Sequence, residues 1–491
     1  MRLKNYLLLG IASLGFFISL TIWSFASPPG SAPDDDFHLP SIWCSHGKVE
    51  DICDPEFEGD GFGKTPTPLS PSAICFAFKS EVSASCQSLM FSWDDKSLQG
   101  SRTNENGRFP NGFYWTLNLL IGENNLISAI SMRIFNGLIA TLLLISTFLI
   151  SNSRIKIALV SSWIAVIVPL SIFTIASTNP SSWSIIGLGT FWAALYTFLN
   201  SDRTFIFNIF TSSVVICSSL LAIQSRSEAS PYILLSIILV LLISEKRFIF
   251  KTKRWKLILP ILIFIYSFFS FITTPSTLGW STGLPGGDPN RNMSELWFRN
   301  ISDWPVFVTG SLGGWPLGWL DVPMPTIVYF FTMIIFIGLL FTGILVSNFW
   351  KTLSLLIIIS LLIILPLRIL ALGKNYVGEN VQPRYFLPLL FLLIAFSMFI
   401  PPNSTTILLS SAQLTLIFFS SLIAHAFALH YTLRRYITGS DVIDWNLNKN
   451  VEWWWSFMPS PMLSWIIGVV GFSLAVLVGL YQIQKNSKVL N

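Results

Sequence analysis

The chain has 491 residues, long enough for two or three soluble domains. Its 52% apolar and 11% charged residues, with a mean hydropathy of +0.63, exclude that reading, because a soluble chain carries roughly 25% charged residues to coat its surface. The 41 Phe and 19 Trp exclude intrinsic disorder, and a net charge of +5 on a polytopic membrane chain makes no case for a nucleic-acid partner.

Apolar runs of about 20 residues cross a bilayer as helices. About 12 of them (11–13) occur, near residues 6–26, 128–150, 155–176, 182–200, 205–223, 231–244, 257–274, 326–348, 352–371, 386–401, 405–429 and 464–482. Their length and lack of alternation read as helix and not as barrel strand. The expected fold is therefore an all-α polytopic membrane protein, one integral membrane domain over 1–491. Arg2, Lys4, Arg154, Lys156, Arg203, the group Lys246, Arg247, Lys251, Lys253, Arg254 and Lys256, then Lys351, Lys485 and Lys488 all fall on one side if both termini are cytoplasmic. The first run is long for the apolar core of a cleaved signal and is read as an anchor in the cell membrane.

The opposite, extracytoplasmic side then carries the large loops, 27–127, 275–325, 372–385 and 430–463. The first holds 14 acidic against six basic residues and four cysteines, Cys44, Cys53, Cys75 and Cys86. An even set in an external loop reads as two disulfides; three pairings are open, the simplest being Cys44–Cys53 and Cys75–Cys86. Zinc is disfavoured, since no Cys-x-x-Cys spacing occurs and His46 is the one nearby partner. Cys217, inside a span, reads as packing. No phosphate-loop or dinucleotide-binding signature occurs, which argues against an ATP-driven pump.

Four segments carry the chemistry. In Ser27–His38, Pro and Gly stop the first helix at the membrane surface, and Asp34, Asp35 and Asp36 follow. Crowded carboxylates repel, so one is expected to have a raised pKa and serve as a general base; alternatively they bind a divalent cation through oxygen. The plainer reading is a solvated acidic turn capping a short helix that starts near Phe37. Gly107–Trp115 sets Arg108 among aromatics, which suits a phosphate or a sugar face or an aromatic belt. Gly313–Pro325 places Asp321 in a stiff Trp- and Pro-rich segment, either as a site carboxylate or as a helix cap. Gln382–Tyr385 puts Arg384 at the outer edge of the hydrocarbon, where an unpaired cation is costly. It needs an anion: a lipid phosphate, a substrate phosphate, or a carboxylate such as Asp36 or Asp321. Snorkelling is the alternative. Lys374, Arg226, Arg434 and Arg435 lie on the same side and can add to a phosphate site. Arg368, inside the ninth run, is expected to have an internal partner. His425 and His430 read as packing or interfacial groups.

Pro28-Pro29-Gly30-Ser31-Ala32-Pro33-Asp34-Asp35-Asp36-Phe37-His38 resembles the opening of a bacterial integral-membrane family, DUF 2142. In the same order, Arg108-Phe-Pro with Tyr114, Met132-Arg133-Ile-Phe-Asn136, Asn179-Pro180-Ser181, Ser225-Arg226-Ser-Glu228, Gly318-Trp319-Leu320-Asp321 and Gln382-Pro383-Arg384-Tyr385 resemble it too. Arg434-Arg435-Tyr436 and Trp453-Trp454-Trp455 look like its actinobacterial branch. Two departures are Pro383, where the family often has Gly, and Trp183-Ser184, where an acidic residue often follows. The family is similar in architecture to GT-C glycosyltransferases, which take sugars from polyprenyl-phosphate donors on the outer face.

By that analogy the chain is an inverting glycosyltransferase of cell-envelope glycan assembly, with a polyprenyl-phosphate lipid, a glycan acceptor and membrane lipids as partners. Asp34, Asp35 or Asp36 is the base. His38, Arg108, Tyr114, Arg226, Trp319, Asp321, Lys374, Arg384 and Tyr385 bind substrate, and Trp115, Trp315 and Trp319 offer sugar platforms. A cofactor is not specified beyond the possible divalent cation. The alternatives are a transporter or flippase of lipid-linked precursors, which normally keeps polar residues near the midplane, and a non-catalytic assembly protein using the disulfide-bonded loop.

Overall fold

The computed structural model describes residues 2–55, 61–201, 203–244, 254–277, 283–284, 286–402, 404 and 409–490. Lys246, Arg247, Lys251 and Lys253 of the basic cluster lie outside the described residues. The main helices are α1 (Arg2–Phe25), α2 (Asp35–Trp43), α3 (Gly112–Asn118), α4 (Asn125–Ile150), α5 (Ser153–Ile175), α6 (Ser181–Asn200), α7 (Phe205–Ile223) and α8 (Ala229–Ile243). They continue with α9 (Ile258–Thr273), α10 (Met293–Asp303), α11 (Thr326–Ile344), α12 (Phe349–Gly373), α13 (Leu387–Met398), α14 (Ser411–Ile437) and α15 (Pro461–Leu490).

Among the described residues, ten helices are long and apolar enough to cross a membrane, against the twelve runs expected. The other two runs form the shorter helices α8 and α13. At 1.5 Å per residue, a 15-residue helix reaches only about 22 Å of a hydrocarbon layer about 30 Å thick. Burial compensates in α13, where every residue is covered by protein. There the backbone closes its hydrogen bonds away from lipid, the condition a membrane imposes. With α6, also buried along nearly its whole length, α13 forms the centre of the bundle. Around it, α9, α11 and α12 leave large apolar side chains on the outside, as lipid contact requires. Cys217 and Arg368 are both exposed, not packed inside as expected.

Small residues set the close crossings. A Cβ on Gly15 of α1 would lie 2.6 Å from the Gly471 carbonyl oxygen of α15, and one on Gly471 would lie 2.6 Å from that of Gly15. Lys351 is fully buried; its ammonium donates to the Gly343 and Val346 carbonyls and so closes the C-terminus of α11.

The large loops gather at one end of the bundle. The first is not wholly helical. It holds a two-stranded antiparallel sheet, β1 (Phe62–Pro66) and β2 (Leu98–Arg102), in the register Phe62↔Arg102 to Pro66↔Leu98. Five-residue strands in a polar loop have too little alternation to be read in advance. Both disulfides have the simplest pairing, Cys44–Cys53 and Cys75–Cys86. The loop ends earlier than expected, because the Asn124 side chain accepts the Ile127 N–H and starts α4 there. In turn α14 runs past residue 430 to Ile437, so Arg434 and Arg435 are helical and the following loop is shorter. Arg434 donates to the Asp444, Asn446 and Lys449 carbonyls and folds that loop onto the helix.

Candidate functional site

The acidic turn is held from beneath. Fully buried Arg133 of α4 donates to the carbonyls of Ser24, Ser27 and Pro28, where α1 ends. Asn179, at the start of α6, donates to the Pro33 carbonyl at 2.8 Å. Asn136 donates to Ser177 and accepts from the Trp183 indole, tying α4 to the same corner. The segments around Arg133, Asn136 and Asn179 are thus the mould in which the turn sets.

The three aspartates diverge. Asp34 has φ 64°, a left-handed conformation uncommon outside glycine. It stands at the N-cap of α2, yet its side chain caps nothing. Instead its Oδ2 accepts from Arg384 Nη2 at 2.7 Å while the carboxylate stays half-exposed. Asp35 is sealed: its oxygens accept from Thr178 Oγ1 at 2.8 Å and the Ala32 N–H at 3.1 Å, with Arg133 at 3.9 Å. Asp36 pairs with Arg102 of β2. Each carboxylate therefore faces its own arginine. Among the described residues no group of three His, Cys, Asp or Glu side chains is gathered to hold a metal ion, so the expected trio of cation ligands is not assembled.

The expected raised pKa falls on Asp35, and its main cause differs from the one expected. Burial pushes Asp35 up to about 6 against the pull of Arg133, and the Asp36 charge is a lesser contribution. Asp34 moves the other way. Burial raises it, but Arg384, His38 and Arg226 together hold it below the usual carboxylate value. The accessible carboxylate is thus the ionised one, and the raised one is out of reach of a ligand.

Around Asp34 the structure collects residues from distant parts of the chain. Arg384 is buried, and its Nε and Nη1 have no hydrogen-bond partner among the described residues. Arg226, between α7 and α8, pairs with Glu228 and lies between the rings of Phe109 (5.2 Å) and Tyr385 (5.1 Å). Arg108 lies over the Phe109 ring at 5.7 Å and is exposed. His38 is buried against Phe37, Phe109 and Tyr114, with Nδ1 2.9 Å from the Tyr114 hydroxyl and Nε2 without a partner among the described residues. Burial, with the charges of Arg226, Arg384 and Arg108, brings His38 down to about 3, so it is neutral. Burial likewise raises the Tyr114 hydroxyl, which stays protonated. Arg384 also lines a narrow cleft with Pro33, Thr174, Asn179, Trp315 and Gln382, where the Trp315 indole N–H is again buried without a partner among the described residues.

Asp34, His38, Arg108, Tyr114, Arg226, Arg384 and Tyr385 are therefore one cluster. Four expected members stand elsewhere. Asp321 is fully buried and bonded to Arg435 at 2.6 Å and to the Trp319 N–H at 3.0 Å; it is neither a free site carboxylate nor the partner of Arg384. Burial raises its pKa against Arg435. Trp319 donates its indole N–H to the Gly30 carbonyl and braces the turn. Lys374 donates to the Pro289 carbonyl beside the Arg291–Glu379 pair. Trp115 is exposed and donates to the Ser45 carbonyl. Phe109, Glu228, Arg102 and Thr178 join the site without having been assigned to it as ligands or partners, and Trp315, expected as a sugar platform, joins it through its indole N–H. Phe109 and Glu228 adjoin recognised arginines, and Thr178 precedes a recognised motif. Nothing in the sequence points to Arg102.

An arginine with two unmet buried donors beside an open, ionised carboxylate can grip an oxyanion while leaving an acceptor for a proton. Arg226 and Arg108 add positive charge, and the aromatic rings add flat faces.

The sequence profile of the predicted membrane proteins called DUF2142 matches residues 17–393, and the chain belongs to that family. No curated protein matches it. Among solved structures it is similar to ArnT from Cupriavidus metallidurans in the apo state, at 10% identity and a TM-score of 0.41 over 99% of this chain and 78% of that one. It is similar to the same protein bound to undecaprenyl phosphate, at 11% identity and a TM-score of 0.41 over 98% of this chain and 77% of that one.

Proposed function

We propose that this member of the DUF2142 family is a GT-C-like, inverting glycosyltransferase that takes a sugar from a polyprenyl-phosphate carrier. It works on the non-cytoplasmic side of the membrane, where two disulfides in the loop around the site persist. The observation that carries the reading is Arg384: buried, paired on one nitrogen with Asp34, with two donors unmet among the described residues. A buried donor left unsatisfied is destabilising by about 1–3 kcal/mol, more on a charged group, unless a ligand meets it.

In the proposed reaction the phosphate of the carrier binds Arg384, with Arg226 and Arg108 completing the charge. An acceptor hydroxyl attacks the anomeric carbon from the opposite side. The bond from that carbon to the phosphate oxygen breaks, and the phosphate leaves with the electron pair. Asp34, already ionised, receives the hydroxyl proton. Asp35 and Asp36 hold the turn and do not take part. His38 and Tyr114, both neutral, shape the wall behind Phe109.

The test is sugar transfer by the purified chain in lipid nanodiscs, with a panel of synthetic polyprenyl-phosphate sugars. Wild type is compared with Asp34→Asn, Asp36→Asn and Arg384→Ala. Transfer lost in Asp34→Asn and Arg384→Ala, and retained in part in Asp36→Asn, supports the assignment. Equal transfer in all four chains removes Asp34 and Arg384 from catalysis.

A further inference from the structure

A second concavity opens on the loop side of the bundle, separate from the arginine cluster. One wall is Gln87–Trp93, just after the Cys75–Cys86 disulfide, and the other is Trp453–Phe457. Leu126, at the head of α4, closes the base. The walls are fixed in advance. The Trp455 indole donates to the Phe25 carbonyl at 2.8 Å, and that of Trp454 donates to Pro459 at 2.7 Å. Ser83 donates to Glu452 at 2.6 Å and hooks the two loops together. The Gln87 amide donates to the carbonyls of Pro29 and Ser72. Pro29 belongs to the turn that ends in Asp34, so this wall and the acidic turn are directly bonded.

The lining has a distinct chemistry. Phe91 and Trp93 pack edge to face at 5.4 Å on one side, and Trp453 and Trp455 do so at 4.9 Å on the other. Ser88, Ser92, Ser456 and Gln87, whose amide hydrogens go to Pro29 and Ser72, complete the lining, and among the described residues no charged side chain belongs to it. A phosphate headgroup would find no cation there. Ser88 already donates to the Ser85 carbonyl and Ser92 accepts from the Asp94 N–H, but an acyl chain would leave the exposed Ser456 hydroxyl facing hydrocarbon with no partner among the described residues, which is unfavourable. An uncharged sugar ring matches both features: a C–H face for the indoles and hydroxyl edges for the serines. Ligand sites of that kind are mostly apolar and aromatic, with a few placed polar groups.

We infer that this cleft is a binding site for a neutral oligosaccharide. That the bound chain is also the acceptor rests on the glycosyltransferase reading; the binding itself does not. The Gln87–Pro29 bond places such a chain alongside the acidic turn.

The experiment is equilibrium binding to the full chain in nanodiscs, read by tryptophan fluorescence and saturation-transfer NMR. The probes are neutral hexasaccharides of glucopyranose, mannopyranose and arabinofuranose. The expected result is saturable binding of at least one probe, weakened tenfold or more by Trp453→Ala and by Trp93→Ala, and unchanged by Arg384→Ala. Ser456→Trp, at an exposed position, fills the cleft without touching the core and should abolish binding even where an alanine variant fails to fold. Three results would overturn the inference. The first is no binding of any probe at millimolar concentration. The second is binding that survives Ser456→Trp. The third is a fluorescence response that follows the anionic-lipid content of the disc and ignores saccharide, which would make the tryptophans an interfacial belt. Because no transfer is measured, a failed glycosyltransferase assay and a failed binding assay are separate outcomes.

Discussion

Two aspartate–arginine pairs of nearly equal length hold the loop side of the bundle. Arg435 bonds Asp321 at 2.6 Å, and its other N–H groups meet the carbonyls of Phe76, Lys79, Val82 and Asp321. Both side chains are sealed, at 1% and 0% exposure. Arg384 bonds Asp34 at 2.7 Å, but the aspartate is 51% exposed and two arginine nitrogens meet no partner among the described residues. One pair is complete and ties the first loop, the second loop and α14 together. The other is buried on its cationic side only and is incomplete. Pair distance does not separate a structural ion pair from a site; the remaining hydrogen-bond capacity does.

The comparison can be broken at its closed end first. Arg435→Ala leaves Asp321 as a buried unpaired charge and four carbonyls without donors, so a loss of about 3–5 kcal/mol of stability is expected. Chemical denaturation in nanodiscs measures it, and wild-type stability in this variant would contradict the sealed-clamp reading. Arg384→Ala should do the opposite. Transfer falls about 10²–10³-fold, the range for losing one preorganised donor to a developing anion, while the melting temperature stays close to wild type. A variant that unfolds would show Arg384 to be a second clamp.

Away from both pairs, Gly471→Leu forces a side chain into the α1–α15 crossing and should destabilise by about 1–3 kcal/mol without changing donor affinity. The smallest effect distinguishes neighbouring aspartates by pH. Asp35 is raised to about 6, so its contribution to stability is full below its ordinary value near 3.8 and is lost as pH rises through 6. Asp34 is lowered, so its contribution is present above 3.8 and disappears only as pH falls through its depressed value. Between pH 7 and 5 only the first changes. Buried, neutral His38 opposes it, because acid protonates the unfolded imidazole first, so the test is a difference: on acidification across that window the melting temperature of Asp35→Asn should fall about 2 °C further than that of wild type.

Much of the architecture was legible because a bilayer asks for length and apolarity, and both are written in every run. The disulfides were legible because four cysteines stood in one polar loop. Arg384 was legible as a cation that must find an anion near hydrocarbon. Which anion it finds was not, since consecutive residues in a tight turn point three ways, and the left-handed φ of Asp34 leaves no mark in a sequence. Asp321 was misjudged as a site group for a related reason. Its partner lies 114 positions away on a helix that outlasts its apolar run, because loops bury Arg434 and Arg435. Tertiary cover, which composition does not record, decided both cases.

The Gly15–Gly471 crossing also bears on how the molecule is made. The partner of α1 is α15, and about 435 residues separate Phe25 from Pro461. At a synthesis rate of about 5–20 residues per second, α1 waits roughly 20–90 s in the bilayer before its closest neighbour emerges. During that wait its glycine-notched side is open to other helices or to a membrane insertase. Completion of the bundle is therefore a late event, in which α15 docks onto a helix inserted at the start.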